Sequence, residues 1–190
     1  MATQPEAWGK RLAAAVLALA VLALGVLALG RAAPVGAQGE WRIYRNPALG
    51  FKVLYPPGLA TRALNRRVGT GTVAVQEWTR AGSKATIRLT LIDKPAGTKL
   101  RDWVKREHAG KIVEHTVAGR PAFIQEGLFE GQLTTDVYLE EPKSGKVINF
   151  SHAVRGIENW MAQKLNAVKN RHRAELGDFW NMVESIRFAE

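Results

Sequence analysis

Few residues in this chain have the chemistry to build a reactive site, and their spacing argues against most uses of them. The 190 residues include four histidines, His108, His115, His152 and His172, and no cysteine. No two histidines stand four apart, the spacing that places a zinc-ligand pair on one helix face. The lack of cysteine removes thiol nucleophiles, thiolate zinc sites, iron–sulfur clusters and lipoprotein-type acylation. Ser151 and His152 are neighbours on an expected strand, where successive side chains leave opposite faces, so they cannot serve each other as nucleophile and base. Asp136 and Glu140 share a strand face with Tyr138 between them. Paired carboxylates can divide acid and base roles, although a wet strand face has the same pattern. Gly69-Thr70-Gly71-Thr72-Val73-Ala74 fits the form of a dinucleotide fingerprint. Its chemistry needs a helix N-terminus after the glycines, and a β-rich stretch follows instead. Asn149-Phe150-Ser151 fits a glycosylation signal but lies in an apolar strand. These residues point to no catalytic group, no metal ion and no cofactor.

The elements that would position them are mostly short strands. Residues 41–45 read as a strand, and Asn46-Pro47-Ala48-Leu49-Gly50 turns the chain. Phe51, Val53 and Tyr55 then alternate with Lys52 and Leu54 until Pro56-Pro57 stops them. Residues 58–71 read as a loop. Residues 73–79 and 85–92 form a hairpin whose second strand sets Ile87, Leu89 and Leu91 on a covered face and Thr86, Arg88 and Thr90 on a wet one. Residues 100–109 are an amphipathic helix, capped by Thr98 and ended by Gly110, with Leu100, Trp103 and Val104 inward. Strands follow at 112–117, 122–127, 133–140 and 147–154. The period then lengthens to a helical one through Ile157, Trp160, Met161, Leu165 and Val168. Leu176, Phe179, Trp180 and Val183 continue the stripe, with a break expected at Gly177-Asp178, and residues 185–188 alternate like a last strand. This order predicts an α+β fold, a sheet with helices packed on it.

Two segments carry a family resemblance. Tyr44-x-Asn46-Pro47-x-x-Gly50-Phe51-x-Val53-x-Tyr55-Pro56 stands early, and Phe179-x-x-Met182-Val183-x-Ser185-Ile186-x-Phe188 stands at the end. Val117-x-Gly119-x-Pro121-Ala122 and Val137-Tyr138-Leu139-Glu140 fall between them. Together they resemble the PsbP-like domain of exported bacterial proteins, over residues 40–190. The resemblance implies an antiparallel β-sheet sandwiched between α-helices, an α/β/α sandwich shared by the photosystem II extrinsic protein PsbP and a GTPase-binding nuclear import factor. It also implies protein binding rather than catalysis, and it offers no catalytic residue to transfer.

Residues 12–30 hold no charge and follow Lys10 and Arg11. Their length is near the ~20 residues that span a bilayer, so they are either an export signal or an anchor. Val35-Gly36-Ala37 supplies the small residues of a cleavage site, and Gly25, Gly30 and Pro34 weaken the helix before it. Cleavage after Ala37 is therefore favoured. The expected organisation is a signal peptide or anchor over 1–37 and one domain over 38–190, secreted or periplasmic. Losing Lys10, Arg11, Arg31 and Glu6 with the first segment takes the net charge from +10 to +8. Such an excess attracts an acidic protein partner or the anionic surface of a membrane. Nucleic acid fits less well, because export removes the chain from it and the aromatics lie on apolar stripes.

The expected function is non-catalytic docking on an envelope or membrane protein complex. The candidate contacts are Arg62, Arg66 and Arg67 in the expected loop, with Lys105 and Arg106 on the middle helix. Of the six tryptophans, Trp103, Trp160 and Trp180 fit core positions, while Trp41 and Trp78 are candidate exposed anchors. The rival readings are a small-ligand carrier with a pocket between sheet and helices, and a hydrolase with a site assembled from scattered residues.

Overall fold

Alternating apolar residues dominate the computed structural model, which describes residues 39–108 and 110–189. The apolar stretch 12–30 and the expected cleavage site lie outside the described residues. Chain order runs β1 (Arg42–Asn46), β2 (Phe51–Tyr55), β3 (Leu59–Gly69), β4 (Thr72–Arg80), β5 (Ala85–Ile92), α1 (Leu100–Glu107), β6 (Ile112–Val117), β7 (Arg120–Phe129), β8 (Gln132–Glu140) and β9 (Val147–Val154). A short 3₁₀ turn (Trp160–Ala162), α2 (Leu165–Arg171), α3 (Arg173–Glu184) and β10 (Arg187–Phe188) complete it. Among the described residues, no helix is long and apolar enough to cross a membrane.

Seven strands pair antiparallel in the order β3-β4-β5-β9-β8-β7-β6. One face of this sheet carries Trp78, Ile87, Leu89, Phe150 and Val137, and α3 covers it with Phe179, Met182 and Val183. Leu176 of α3 and Val168 of α2 extend that layer over Leu133 and Val154. On the opposite face, α1 sets Leu100, Trp103 and Val104 against Phe123, Tyr138 and Val147. The sheet is thus held between helices, as the alternation and the family resemblance imply. Complete burial of each such side chain contributes about 1.5–3 kcal/mol.

A second, three-stranded sheet, ordered β1-β2-β10, packs on the first. Phe51 and Val53 of β2 are buried. Tyr44 meets Trp78 edge-on with ring centroids 5.3 Å apart, and Trp78 lies 5.5 Å from Phe150. Trp78 is therefore the pivot of the core and not an exposed anchor.

Four local expectations are corrected. Residues 58–71 are not a loop: β3 occupies most of them, and its exposure on both faces removes the alternation that marks a half-buried strand. Its register slips between Ala63 and Arg66, where Asn65 takes φ 42°, a bulge of the kind that protects sheet edges. The C-terminal helices break at His172, and Gly177 lies inside α3. Thr98 does not cap α1; Lys99 holds that position, and the Thr98 carbonyl accepts from Lys94 Nζ at 2.6 Å. Met161 is 84% exposed instead of lying on the buried stripe.

Two buried polar groups make the sheet sensitive to charge. Glu77 on β4 sits between Arg62 on β3 and Arg88 on β5, accepting from both guanidinium groups. Burial alone would raise its carboxyl, but the two arginines outweigh this and hold it below the usual range. His152 on β9 is fully buried beside Phe179, and neither ring nitrogen has a hydrogen-bond partner. Burial lowers its pKa from 6.5 to about 4.

The unfolded chain therefore takes up a proton at His152 between pH 6.5 and 4 that the folded chain refuses. Stability is complete above pH 6.5 and falls on acidification, by about 3 kcal/mol over the whole window. Urea melts across pH 6.5 to 5 are expected to show a shallower loss for His152→Leu than for wild type. Glu77→Gln is expected to cost about 1–3 kcal/mol in the same assay, because Arg88 loses its buried acceptor.

Candidate functional site

Turns at one end of the large sheet gather the side chains that matter most. The β1–β2 turn, the β6–β7 turn, the β8–β9 turn and the start of α1 come together there with β10. The β8–β9 turn is built on Glu141, which is buried and accepts from the Lys143 amide at 2.9 Å and from the Ser144 amide and hydroxyl, each at 2.6 Å. Burial works to raise this carboxyl; the Ser144 and backbone hydrogen bonds, with the Lys143 charge, prevail and lower it. The turn projects Lys143 toward the β1–β2 turn, where Gly50 takes φ 59°. A β-carbon at Gly50 would stand 3.2 Å from Lys143 Nζ, so the lysine lies close against the glycine backbone.

Three clefts adjoin at this end. The first, about 340 Å³, is lined by Arg45, Lys52, Lys143 and Arg187 over Phe51 and Phe188. The second, about 620 Å³, shares Arg187 and Phe188 and adds Arg120 and Glu184. The third, about 430 Å³, shares Arg120 and reaches Lys99, Arg101, Phe123 and Pro142. Arg120 lies over the Phe188 ring at 5.3 Å. Of these cations only Arg101 is ion-paired among the described residues, to Glu114 at 2.9 Å. The acids nearby are already engaged: Glu184 with His115 at 2.8 Å, Glu140 with Lys94 at 3.6 Å, and Glu141 in its own turn. The walls are therefore cationic and the floor partly aromatic, a combination suited to an acidic partner.

Register sharpens the point. Arg45 pairs with Lys52 across β1 and β2, and Lys52 pairs with Arg187 across β2 and β10. Three cations thus form one cross-strand row, and like charges directly opposite one another destabilise a sheet.

The residues expected from sequence are placed differently. Arg62 donates to Glu77, and Arg66, paired with Ala74, shares its face of the sheet. Arg67 pairs with Val73 and leaves by the other face, so the three arginines do not form one patch. Lys105 and Arg106 are exposed on the last turn of α1, and Arg106 contacts Glu107 at 3.1 Å. None of the five lines the clefts described above. Arg120, Lys143 and Arg187 were missed because each is a singleton beside a turn, gathered only by the tertiary fold, whereas Lys99 and Arg101 open α1 and Arg45 faces Lys52 across one hairpin.

The groups that suggested catalysis are occupied separately. Ser151 and His152 leave opposite faces of β9, His152 into the core. The Asp136 carboxyl, raised by burial, accepts from Asn149 at 3.2 Å, while Glu140 pairs with Lys94. Asn149 is buried on this hydrogen bond, so the glycosylation signal is not presented. Gly69-Thr70-Gly71 turns between β3 and β4, with no helix behind it. Among the described residues no three His, Cys, Asp or Glu side chains gather as a metal site.

No family profile and no curated protein sequence matches the chain. Solved structures do. Cyanobacterial PsbP (CyanoP) from Synechocystis sp. PCC 6803 is 13% identical, matching over 84% of this chain and 98% of its own, with a TM-score of 0.53. The Ran-binding protein Mog1p of Saccharomyces cerevisiae is 11% identical over 80% of this chain and 96% of its own, with a TM-score of 0.47. The chain has the PsbP-like fold.

The row of like charges predicts a gain from its removal. Lys52→Gln is expected to raise stability by about 0.2–1 kcal/mol at low ionic strength. Thermal melts should show the gap between variant and wild type closing as salt is added.

Proposed function

We propose that residues 38–190 form a non-catalytic docking domain outside the cytoplasm. It binds an acidic face of an envelope or membrane protein complex through its basic end. The observation that supports this reading is the junction of three clefts whose cations, apart from Arg101, have no ion-pair partner among the described residues. Charges held in this way accelerate encounter and select against basic partners. Arg120 and Phe188 supply the arginine and aromatic surface that is enriched where binding energy concentrates.

The carrier reading is less well supported. The cavity between sheet and helices beside His152 is about 20 Å³, close to the space of a single water. Ligand pockets commonly need about 300–1,000 Å³, and the clefts of that size lie at the surface, outside the core. Hydrolysis would need a nucleophile and a base within reach, and Ser151 and His152 face apart.

In-cell crosslinking of the tagged full-length protein, read by mass spectrometry, tests the proposal. A recurring envelope partner is expected, lost as salt is raised and lost in the Lys99→Glu/Arg120→Glu variant while circular dichroism is unchanged. Undiminished capture by that variant would contradict the assignment of the surface.

A further inference from the structure

The three-stranded sheet carries a second message on its outer face. Period two sends Tyr44, Phe51, Val53 and Phe188 inward and leaves Ile43, Arg45, Lys52, Leu54 and Arg187 outward. Ile43 is 50% exposed and Leu54 38% exposed, and register places them directly opposite each other. Beside this aliphatic pair stands the row Arg45–Lys52–Arg187. Arg187 Nη1 donates to the Glu184 and Ile186 carbonyls at 2.7 and 2.6 Å, which fixes its guanidinium at the end of α3. None of the three cations has an ion-pair partner among the described residues.

An exposed aliphatic pair next to an uncompensated row of cations is unfavourable in water on both counts. A single acidic side chain from a partner would neutralise one member of the row. A plane of phosphodiester headgroups meets all three together and gives Ile43 and Leu54 an apolar boundary to enter. In the uncleaved chain the position agrees. β1 is the first strand, and residues 31–41 separate it from the apolar stretch 12–30, a reach of at most ~40 Å when fully extended.

We infer that the outer face of the three-stranded sheet, through Ile43, Leu54, Arg45, Lys52 and Arg187, rests on an anionic lipid bilayer. This contact adds a second partner to the docking reading and does not require the first. With β1–β2–β10 on the membrane, Arg45, Lys52 and Arg187 face lipid, and the Arg120, Lys99 and Arg101 side of the basic end is left to a membrane protein beside it.

The test places the full-length protein in nanodiscs of phosphatidylcholine alone or mixed with phosphatidylglycerol and reads amide exchange along the chain. The apolar stretch is present in both lipids, so it cannot account for a difference between them. Added protection of β1 and β2 is expected only with phosphatidylglycerol. It should be lost in Arg45→Gln/Lys52→Gln and reduced in Ile43→Ser, with exchange in β5 and β9 unchanged as a control for folding. Equal exchange in the two lipids, or protection unaltered in the double variant, would overturn the inference. The Lys99→Glu/Arg120→Glu variant should keep the lipid-dependent protection, so failure of protein docking and failure of lipid contact are separate results.

Discussion

The burial of Phe51 and Val53 is the constraint on which the basic end depends. β2 has only five residues, and its apolar positions are needed to seat the small sheet on Trp78 and α3. Because side chains on a strand alternate strictly, seating those two forces Lys52 and Leu54 outward. Antiparallel pairing then fixes Arg45 and Arg187 opposite Lys52. The charged row is not a loose feature of the surface. It follows from the core, and it can be moved to the other face only by slipping the register and exposing Phe51.

The large sheet supplies the opposite kind of order. Its charges are compensated where they are buried, as Glu77 is between Arg62 and Arg88. Breaking one side of such an arrangement strands a desolvated group, which costs more than the pair gained by forming. His152 is the exception, a neutral imidazole packed as an apolar ring against Phe179. Arg62 and Arg88 are spent on Glu77, whereas Arg45, Lys52, Arg120, Lys143 and Arg187 at the basic end have no ion-pair partner among the described residues. That difference supports docking at the end rather than at Arg62.

Much of this was legible in the sequence. Strict alternation at Phe51, Val53, Ile87 and Leu89 gave strands close to those observed, and the amphipathic spacing of Leu100, Trp103 and Val104 gave α1. β3 was hidden because an edge strand with two wet faces has no alternation to show, and its arginines resemble a loop's. The junction at His172 carries neither Gly nor Pro, so no local signal marks it, whereas Gly177 offered a misleading one. The cleft cations were partly within reach. A hairpin closed by Asn46 and Phe51 sets Arg45 opposite Lys52 by counting alone. The arrival of Arg120, Lys143 and Arg187 at the same place required the strand order, which no local pattern contains.

The most direct measurement of the account is site-specific photo-crosslinking in cells from positions 99, 120 and 143, compared with positions 62 and 105. The basic-end account predicts one common protein adduct from the first three positions and none of that species from the other two. An adduct confined to 62 and 105 would contradict it and return the docking surface to the open face of the large sheet.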